Sequence, residues 1–267
     1  MITWRRGMRG IKKSVMILIA LLFISSNAFA VEKTVVYGLG AKKNMQAIVI
    51  APKGEGPFPG VLILHTSGGV QDGDINFAKQ LSPHGYVCLI PYYFDAYNVS
   101  HNTRHLSTTK YAEDIYNDFG EVIEYLKKHP KVKSDAVGAV GFSMGGYWSL
   151  ILAAKGKVKT GVSYYGAFTG GGRNLDLKYR FDDVFTKSSS PVLILHGSQD
   201  SVVSPRHAAN MAVLLDEKKS PYEIRIYIGA DHRYERGSQR DEEISSDSME
   251  RTLEFLKKYL KINKTKD

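Results

Sequence analysis

The feature that most constrains this chain is a Gly-x-Ser-x-Gly pattern at residues 141–145, centred on Ser143. An apolar run typical of a buried strand precedes it at 136–140, and an apolar run typical of a helix follows at 148–154. A serine between strand and helix sits on a very tight turn, which holds its hydroxyl over the end of the sheet. Glycine two positions before and after the serine avoids a collision between the closely packed strand and helix. This setting predicts an acyl-transfer nucleophile; the alternative is a glycine-rich turn that happens to contain a serine.

The remaining periodicity predicts alternating strands and helices. Strands are expected at 34–37, 45–50, 60–64, 86–90, 136–140, 158–165, 191–195 and 223–228, and helices at 76–81, 110–128, 148–154, 205–215 and 249–260. Long loops are expected at 92–109 and 166–185. Alternation of this kind implies right-handed crossovers and a mostly parallel sheet with helices on both faces. We therefore predict an α/β protein with a sheet of eight strands or slightly fewer, in a single domain over residues 31–267.

The first 30 residues have the pattern of an export signal. Five basic residues precede an uncharged apolar run at 15–24, and Ala28-Phe29-Ala30 matches a small-x-small cleavage site. The apolar run is short for a membrane span, although a retained anchor is the alternative. We expect cleavage after Ala30, a periplasmic or secreted protein, and no stable membrane anchor once the signal is removed.

The charge and the cysteine content exclude several function classes. The full chain has a formal charge of +9, and the five basic residues of the signal carry no acidic partners, which leaves +4 for residues 31–267. A mildly basic domain of this size does not indicate nucleic-acid binding. The single cysteine, Cys88, cannot form an internal disulfide and lies in an apolar run, so we expect it to be a buried strand residue.

A serine nucleophile needs a base, and the base needs an acid that orients it. His232 follows the last predicted strand and Asp200 follows the one before, so both fall at the carboxyl edge of the sheet with Ser143. The order serine, aspartate, histidine is that of α/β-hydrolases. An oxyanion hole requires two N–H donors, for which we expect Met144, directly after the serine, and Ser67, in the loop after the third strand.

Other titratable residues are weaker candidates. Asp231 adjoins His232 and would point elsewhere from an extended backbone, and Asp200 has the alternative role of capping the following helix. His65 and His196 both close strands, and we expect them to form supporting hydrogen bonds rather than to act as bases. We find no metal-ligand spacing and no phosphate-binding fingerprint, so no metal and no cofactor is expected.

The chain resembles the dienelactone hydrolase family of α/β-hydrolases. The segments that carry the resemblance are Gly60 to His65, Gly85 to Pro91, Val140 to Gly146, His196 to Asp200 and Gly229 to His232. They span nearly the whole chain after the signal, in the order of the family. The resemblance implies the α/β-hydrolase fold and the serine, aspartate, histidine triad. Within the family, the chain resembles a secreted branch whose nucleophile is a serine.

The chain also departs from the founding enzymes of that family. Those enzymes have a cysteine nucleophile where this chain has Ser143, and a glutamate where this chain has Thr66. Of the two arginines that hold the substrate carboxylate there, one falls near Ala96 and is absent, whereas Arg236 matches the other. These departures make dienelactone itself a doubtful substrate and favour ordinary carboxylic esters at least equally.

We therefore expect a serine hydrolase that cleaves a small ester or lactone through an acyl-enzyme. The resemblance and the strand-end positions favour Thr66, Tyr93 and Arg236 as substrate contacts, and Tyr92, Phe94 and residues 97–105 as further pocket walls. Alternatives on the same fold are a peptidase of the prolyl-oligopeptidase type, an acyltransferase and a non-catalytic binding protein. Nothing in the chain is long enough for the added propeller or large cap that such peptidases carry, and an intact triad argues against a binding protein.

Overall fold

The computed structural model describes residues 31–41, 44–166, 177–236 and 240–260. The predicted export signal at 1–30, the middle of the second predicted loop and the predicted C-terminal tail at 261–267 lie outside these residues. The strands are β1 (Val31–Leu39), β2 (Met45–Pro52), β3 (Phe58–Leu64), β4 (Val87–Pro91), β5 (Val132–Phe142), β6 (Gly161–Tyr164), β7 (Val192–Gly197) and β8 (Tyr222–Tyr227). The helices are α1 (Asp72–Leu81), α2 (Ala112–Lys128), α3 (Met144–Ala154), α4 (Phe181–Val184), α5 (Arg206–Glu217) and α6 (Glu242–Leu260).

The strands form one eight-stranded sheet in the order β1-β2-β4-β3-β5-β6-β7-β8. From β4 across to β8 every neighbouring pair is parallel, whereas β1 pairs antiparallel with β2 and β2 with β4. The predicted strands at 34–37 and 45–50, between which no helix is expected, form an antiparallel pair, so the alternation of strands and helices begins only after β3. A short polar connection between β1 and β2 is too short for a crossover and gives a hairpin instead.

Helices cover both faces of the sheet, and successive residues of the parallel strands pack in two hydrophobic cores on opposite faces. In β3, Leu62 and Leu64 pack in one core while Val61 and Ile63 pack in the other. The first core contains the buried residues of α2, α3 and α5, and the second contains those of α1 and α6. Strands buried on both faces are continuous apolar runs, which is how the sequence shows them. The predicted α/β class and mostly parallel sheet are confirmed.

Three helices begin earlier than their apolar pattern indicates. α3 begins at Met144, directly after the nucleophile turn, rather than at 148. α1 begins at Asp72 rather than 76, and α6 begins at Glu242 rather than 249. Both have two acidic residues in the first turn, which the helix dipole favours but which carry no apolar periodicity. The short helix α4 lies inside the second predicted loop, where the sequence pattern indicates no helix. No helix among the described residues is long and apolar enough to cross a membrane.

The strand register brings the carboxyl ends of the parallel strands side by side. Leu64 of β3 pairs with Gly141 of β5, and Tyr164 of β6 pairs with Phe142 on one side and Leu195 of β7 on the other. β8 extends the same edge beside β7. The segments that follow β3, β5, β6, β7 and β8 therefore meet at one edge of the sheet, where parallel α/β proteins bind their ligands.

Candidate functional site

Ser143 forms the turn between β5 and α3 and has backbone angles of φ 52° and ψ −112°. This region is rarely occupied by residues other than glycine, so the turn is strained. The two flanking glycines are required by close approach: a Cβ at Gly141 would lie 1.9 Å from the Gly145 carbonyl oxygen, and one at Gly145 would lie 2.1 Å from that of Leu64. The strand-turn-helix predicted from the sequence is confirmed, and the half-buried Ser143 side chain lies at its tip.

Asp200 and His232 are in direct contact at the ends of the next strands. The His232 Nδ1 atom lies 2.8 Å from Asp200 Oδ2, and both side chains are almost completely buried. A carboxylate can only accept a hydrogen bond, so Nδ1 carries the proton and Nε2 is left as an acceptor. In this tautomer the imidazole can take a proton from a hydroxyl.

Three further donors hold the Asp200 carboxylate. Its Oδ1 atom accepts the N–H groups of Val202 at 2.9 Å and Val203 at 2.7 Å, and its Oδ2 lies 3.2 Å from His196 Nε2. Burial alone would raise the pKa of Asp200, but the hydrogen bonds from His196 and His232 outweigh it and hold this pKa well below its usual range. Asp200 is therefore an anion at neutral pH.

Asp231, the alternative candidate for the acid, forms hydrogen bonds with backbone groups instead of with the imidazole. Its Oδ1 accepts the N–H and hydroxyl of Ser201 at 2.7 and 2.9 Å and the backbone N–H of His232 at 2.6 Å. These bonds connect the loop that carries Asp200 to the segment that carries His232. None of them involves the imidazole ring.

The loop after β3 is built on a buried histidine. His65 is fully buried, its ring stacks on Tyr93 with centroids 3.9 Å apart, and its Nδ1 lies 2.7 Å from the Thr66 carbonyl oxygen. Burial lowers the pKa of His65 to about 4, so the ring is neutral at neutral pH. The expectation of a supporting histidine rather than a base agrees with this position. The Tyr93 hydroxyl donates to the His65 carbonyl oxygen at 2.9 Å.

The other predicted residues of this region lie around the same loop. Tyr93 has no exposed surface and lies behind the loop, so a substrate contact by Tyr93 stays a prediction. The hydroxyl oxygen of Thr66, also buried, accepts the Gly68 N–H at 3.2 Å. Ser67 is partly exposed. Met144 is the first residue of α3, so its N–H has no acceptor within the helix.

Arg236 is held in a buried ionic cluster that the sequence did not indicate. Its Nη1 lies 3.2 Å from Asp74 Oδ1 of α1, its Nε lies 2.7 Å from Glu235 Oε1, and its guanidinium lies 4.3 Å from the Phe142 ring centroid. Two carboxylates therefore face the one cation. Its Nη2 atom is buried and has no partner among the described residues. The predicted contact of Arg236 with a substrate carboxylate remains a prediction, and such a contact would compete with both acids.

A cavity of about 800 Å³ lies beside this cluster, between α1, α6 and the segment after His232. Phe142, Tyr164 and Arg236 line it, whereas Ser143 and His232 are not among its lining residues. The cavity is thus bordered by Glu235 and Arg236 of the ionic cluster and not by the candidate nucleophile and base. Within the described residues, no group of three or more histidine, cysteine or acidic side chains could hold a metal ion.

Comparison with known proteins gives a consistent picture. A model of the dienelactone hydrolase family matches residues 45–260. A Bradyrhizobium protein named "Probable 2-oxo-3-(5-oxofuran-2-ylidene)propanoate lactonase" is 23% identical over 197 residues, which cover 70% of this chain and 78% of that protein. A solved structure of a dienelactone hydrolase-like promiscuous phosphotriesterase from metagenomic libraries has a TM-score of 0.69 at 18% identity, over 86% of this chain and 98% of that chain. A thermophilic esterase from Thermogutta terrifontis has a TM-score of 0.69 at 14% identity, over 85% and 92%. At these identities the two structures support the fold alone.

Proposed function

Because the chain belongs to the dienelactone hydrolase family, we propose that it hydrolyses a small carboxylic ester or lactone through an acyl-enzyme on Ser143. The observation that carries the proposal is the buried Asp200–His232 hydrogen bond, which leaves the His232 Nε2 lone pair available at the same sheet edge as the strained Ser143 turn. Among the described residues, Ser143 is the only serine with a positive φ.

In the first half of the reaction, His232 Nε2 takes the proton as Ser143 Oγ attacks the ester carbonyl carbon. The carbonyl electron pair moves to the oxygen, which we propose is bound by the N–H groups of Met144 and Ser67. When the tetrahedral intermediate collapses, the C–O bond to the alcohol breaks and His232 gives its proton to the leaving oxygen. Asp200 stabilises the imidazolium that exists in between.

In the second half, water replaces the alcohol. His232 removes a proton from this water as its oxygen attacks the acyl carbon, and returns the proton to Ser143 Oγ as the acid leaves. An acyltransferase would differ only in the molecule that attacks, so an added alcohol that forms a new ester would distinguish transfer from hydrolysis. We propose Thr66, Tyr93 and Arg236 as substrate contacts; because Tyr93 has no exposed surface, its contact requires the loop after β3 to move.

The first test is covalent labelling of the purified protein with a fluorophosphonate, followed by peptide mapping and assay on p-nitrophenyl butyrate. Ser143→Ala and His232→Ala should abolish labelling and lower activity by a factor on the order of 10⁴ or more. His84→Ala is the control, because His84 is exposed at the far end of α1. Labelling at another residue, or activity that survives in Ser143→Ala, would refute the proposal.

We further propose that residues 1–30 direct export and are removed. N-terminal sequencing of the protein from the periplasm or medium of an expressing bacterium should begin at Val31. A cytoplasmic protein with an intact N-terminus would overturn this proposal without affecting the assignment of the site.

A further inference from the structure

The short segment after β6 contacts the nucleophile turn through its backbone. The carbonyl oxygen of Tyr164 accepts the Ser143 N–H at 2.9 Å. Gly166 lies so close that a Cβ there would be 2.2 Å from the Ser143 carbonyl oxygen. Between them, Tyr165 has a φ of +43°, in the left-handed region that a bulky residue rarely adopts. The turn that carries Ser143 and the turn that carries Tyr165 are therefore packed against each other as one rigid unit.

The side chain of Tyr165 reaches the segment that carries the proposed base. Its ring packs edge-on against the His232 imidazole, with centroids 4.4 Å apart and an angle of 61° between the planes. Its hydroxyl donates to Glu235 Oε1 and lies 3.4 Å from Arg236 Nε. Its ring also packs edge-on against Tyr234, with centroids 5.7 Å apart. One buried side chain thus contacts four residues of the 232–236 segment.

We propose that Tyr165 is a positioning residue that fixes the His232 imidazole relative to Ser143 Oγ. This proposal rests on the hydrolase function proposed above. The Asp200 hydrogen bond holds only one end of the imidazole, at Nδ1, and a single hydrogen bond leaves the plane of the ring free to swing. The Tyr165 ring removes that freedom, and its backbone is locked to the serine turn. An error of about 1 Å in the distance between the His232 imidazole and Ser143 Oγ can cost a factor of about 100 in rate.

The hydroxyl is suited to this supporting role. Burial, and after it the negative charge of Glu235, raise the pKa of Tyr165 well above its usual value, so the hydroxyl keeps its proton and remains a donor. The carboxylate that accepts it is itself paired with Arg236, which is paired with Asp74 of α1. Tyr165 therefore ties the His232 segment to a cluster anchored in a helix.

The test compares Tyr165→Leu, which removes the ring, with Tyr165→Phe, which removes only the hydroxyl. Tyr227→Phe is the matched control, because Tyr227 is a buried strand-end tyrosine whose hydroxyl also bonds a carboxylate, Asp247 of α6, at 2.8 Å. For each variant, kcat and KM on p-nitrophenyl butyrate, the rate of fluorophosphonate labelling at Ser143 and the Tm are measured. Tyr165→Phe keeps the packing, so it tests the proposal even where Tyr165→Leu does not fold.

We expect Tyr165→Leu to lower kcat by about 10- to 100-fold and the labelling rate in parallel, with KM changed by less than about 3-fold. Tyr165→Phe should lower kcat by about 3- to 10-fold. Tyr227→Phe should lower the Tm by about as much as Tyr165→Phe does, but should leave kcat within about 2-fold of the wild type. Equal kcat in the Tyr165 and Tyr227 variants, or a loss confined to KM, would overturn the positioning role. A wild-type protein that neither labels nor hydrolyses any ester would instead refute the proposed function.

Discussion

Replacement of Asp200 by asparagine is the perturbation with the most definite structural consequence. The carboxylate accepts two backbone N–H groups on Oδ1 and faces His232 Nδ1 and His196 Nε2 with Oδ2. An asparagine that keeps its oxygen on the backbone donors must turn its NH₂ group toward the two histidines. His232 Nδ1 must then accept a hydrogen bond, which moves the imidazole proton to Nε2 and removes the lone pair that Ser143 needs.

The expected loss follows from that tautomer change. A base in the wrong tautomer with otherwise intact geometry costs about 10⁴-fold in kcat, a value known from the equivalent change in a serine protease. This corresponds to about 5.5 kcal/mol in the activation free energy. We expect the loss in kcat, because the variant changes no substrate contact, and we expect fluorophosphonate labelling of Ser143 to slow in parallel.

The assay is steady-state hydrolysis of p-nitrophenyl butyrate by wild-type protein, Asp200→Asn and Asp231→Asn. Asp231 provides the matched control because its carboxylate bonds Ser201 and the His232 backbone instead of the ring. We expect Asp231→Asn to stay within about 10-fold of the wild type. If Asp200→Asn retained a tenth of the wild-type kcat, or if Asp231→Asn were the more damaging of the two, the assignment of the acid would be refuted.

Three further predictions concern stability and reactivity. Because the pKa of the buried His65 is lowered to about 4, the unfolded chain binds a proton between pH 6.5 and 4 that the folded protein does not; the free energy of unfolding should fall by about 2 kcal/mol from pH 7 to pH 5 on account of this group, and urea titrations of His65→Asn should show a correspondingly weaker pH dependence. Gly145→Ala should destabilise by about 3 kcal/mol or more because its Cβ would meet backbone, whereas Gly120→Ala, whose Cβ would only touch the Lys157 ammonium nitrogen at 3.8 Å, should be neutral or slightly stabilising; equal Tm values would contradict this. Cys88 is fully buried and burial raises its pKa far above the usual value, so a thiol reagent should modify it in urea but not in the native protein.

The parts of the site that the sequence predicts are those that depend on local geometry. The Ser143 turn follows from two glycines, a strand and a helix that are adjacent in the chain. The meeting of Asp200 and His232 follows from parallel strands whose carboxyl ends share an edge, so that residues 32 positions apart come together. Neither inference needs any knowledge of side-chain packing.

The parts that could not be predicted depend on packing between distant segments. Asp74 and Arg236 are 162 residues apart, and nothing in the pattern of α1 shows that an acidic residue in its first turn is fully buried. Tyr93 follows a strand at the correct edge, but its ring turns inward to His65 because the histidine itself is buried. Residues that follow strands are predictable as a set, whereas the direction of each side chain depends on its neighbours.

For Tyr165, the order of the strands in the sheet predicts more than the sequence motifs do. Ser143 follows β5 and Asp200 follows β7, and the sheet order places β6 between these two strands. The residue that follows β6 must therefore lie between the turn that carries Ser143 and the loop that carries Asp200, the partner of His232. A small residue there would leave a gap beside the imidazole, whereas a tyrosine fills it and reaches the 232–236 segment with its hydroxyl. The sheet order alone thus identifies the one strand end that can connect the two halves of the site, and the size of the side chain at that end determines how firmly they are connected.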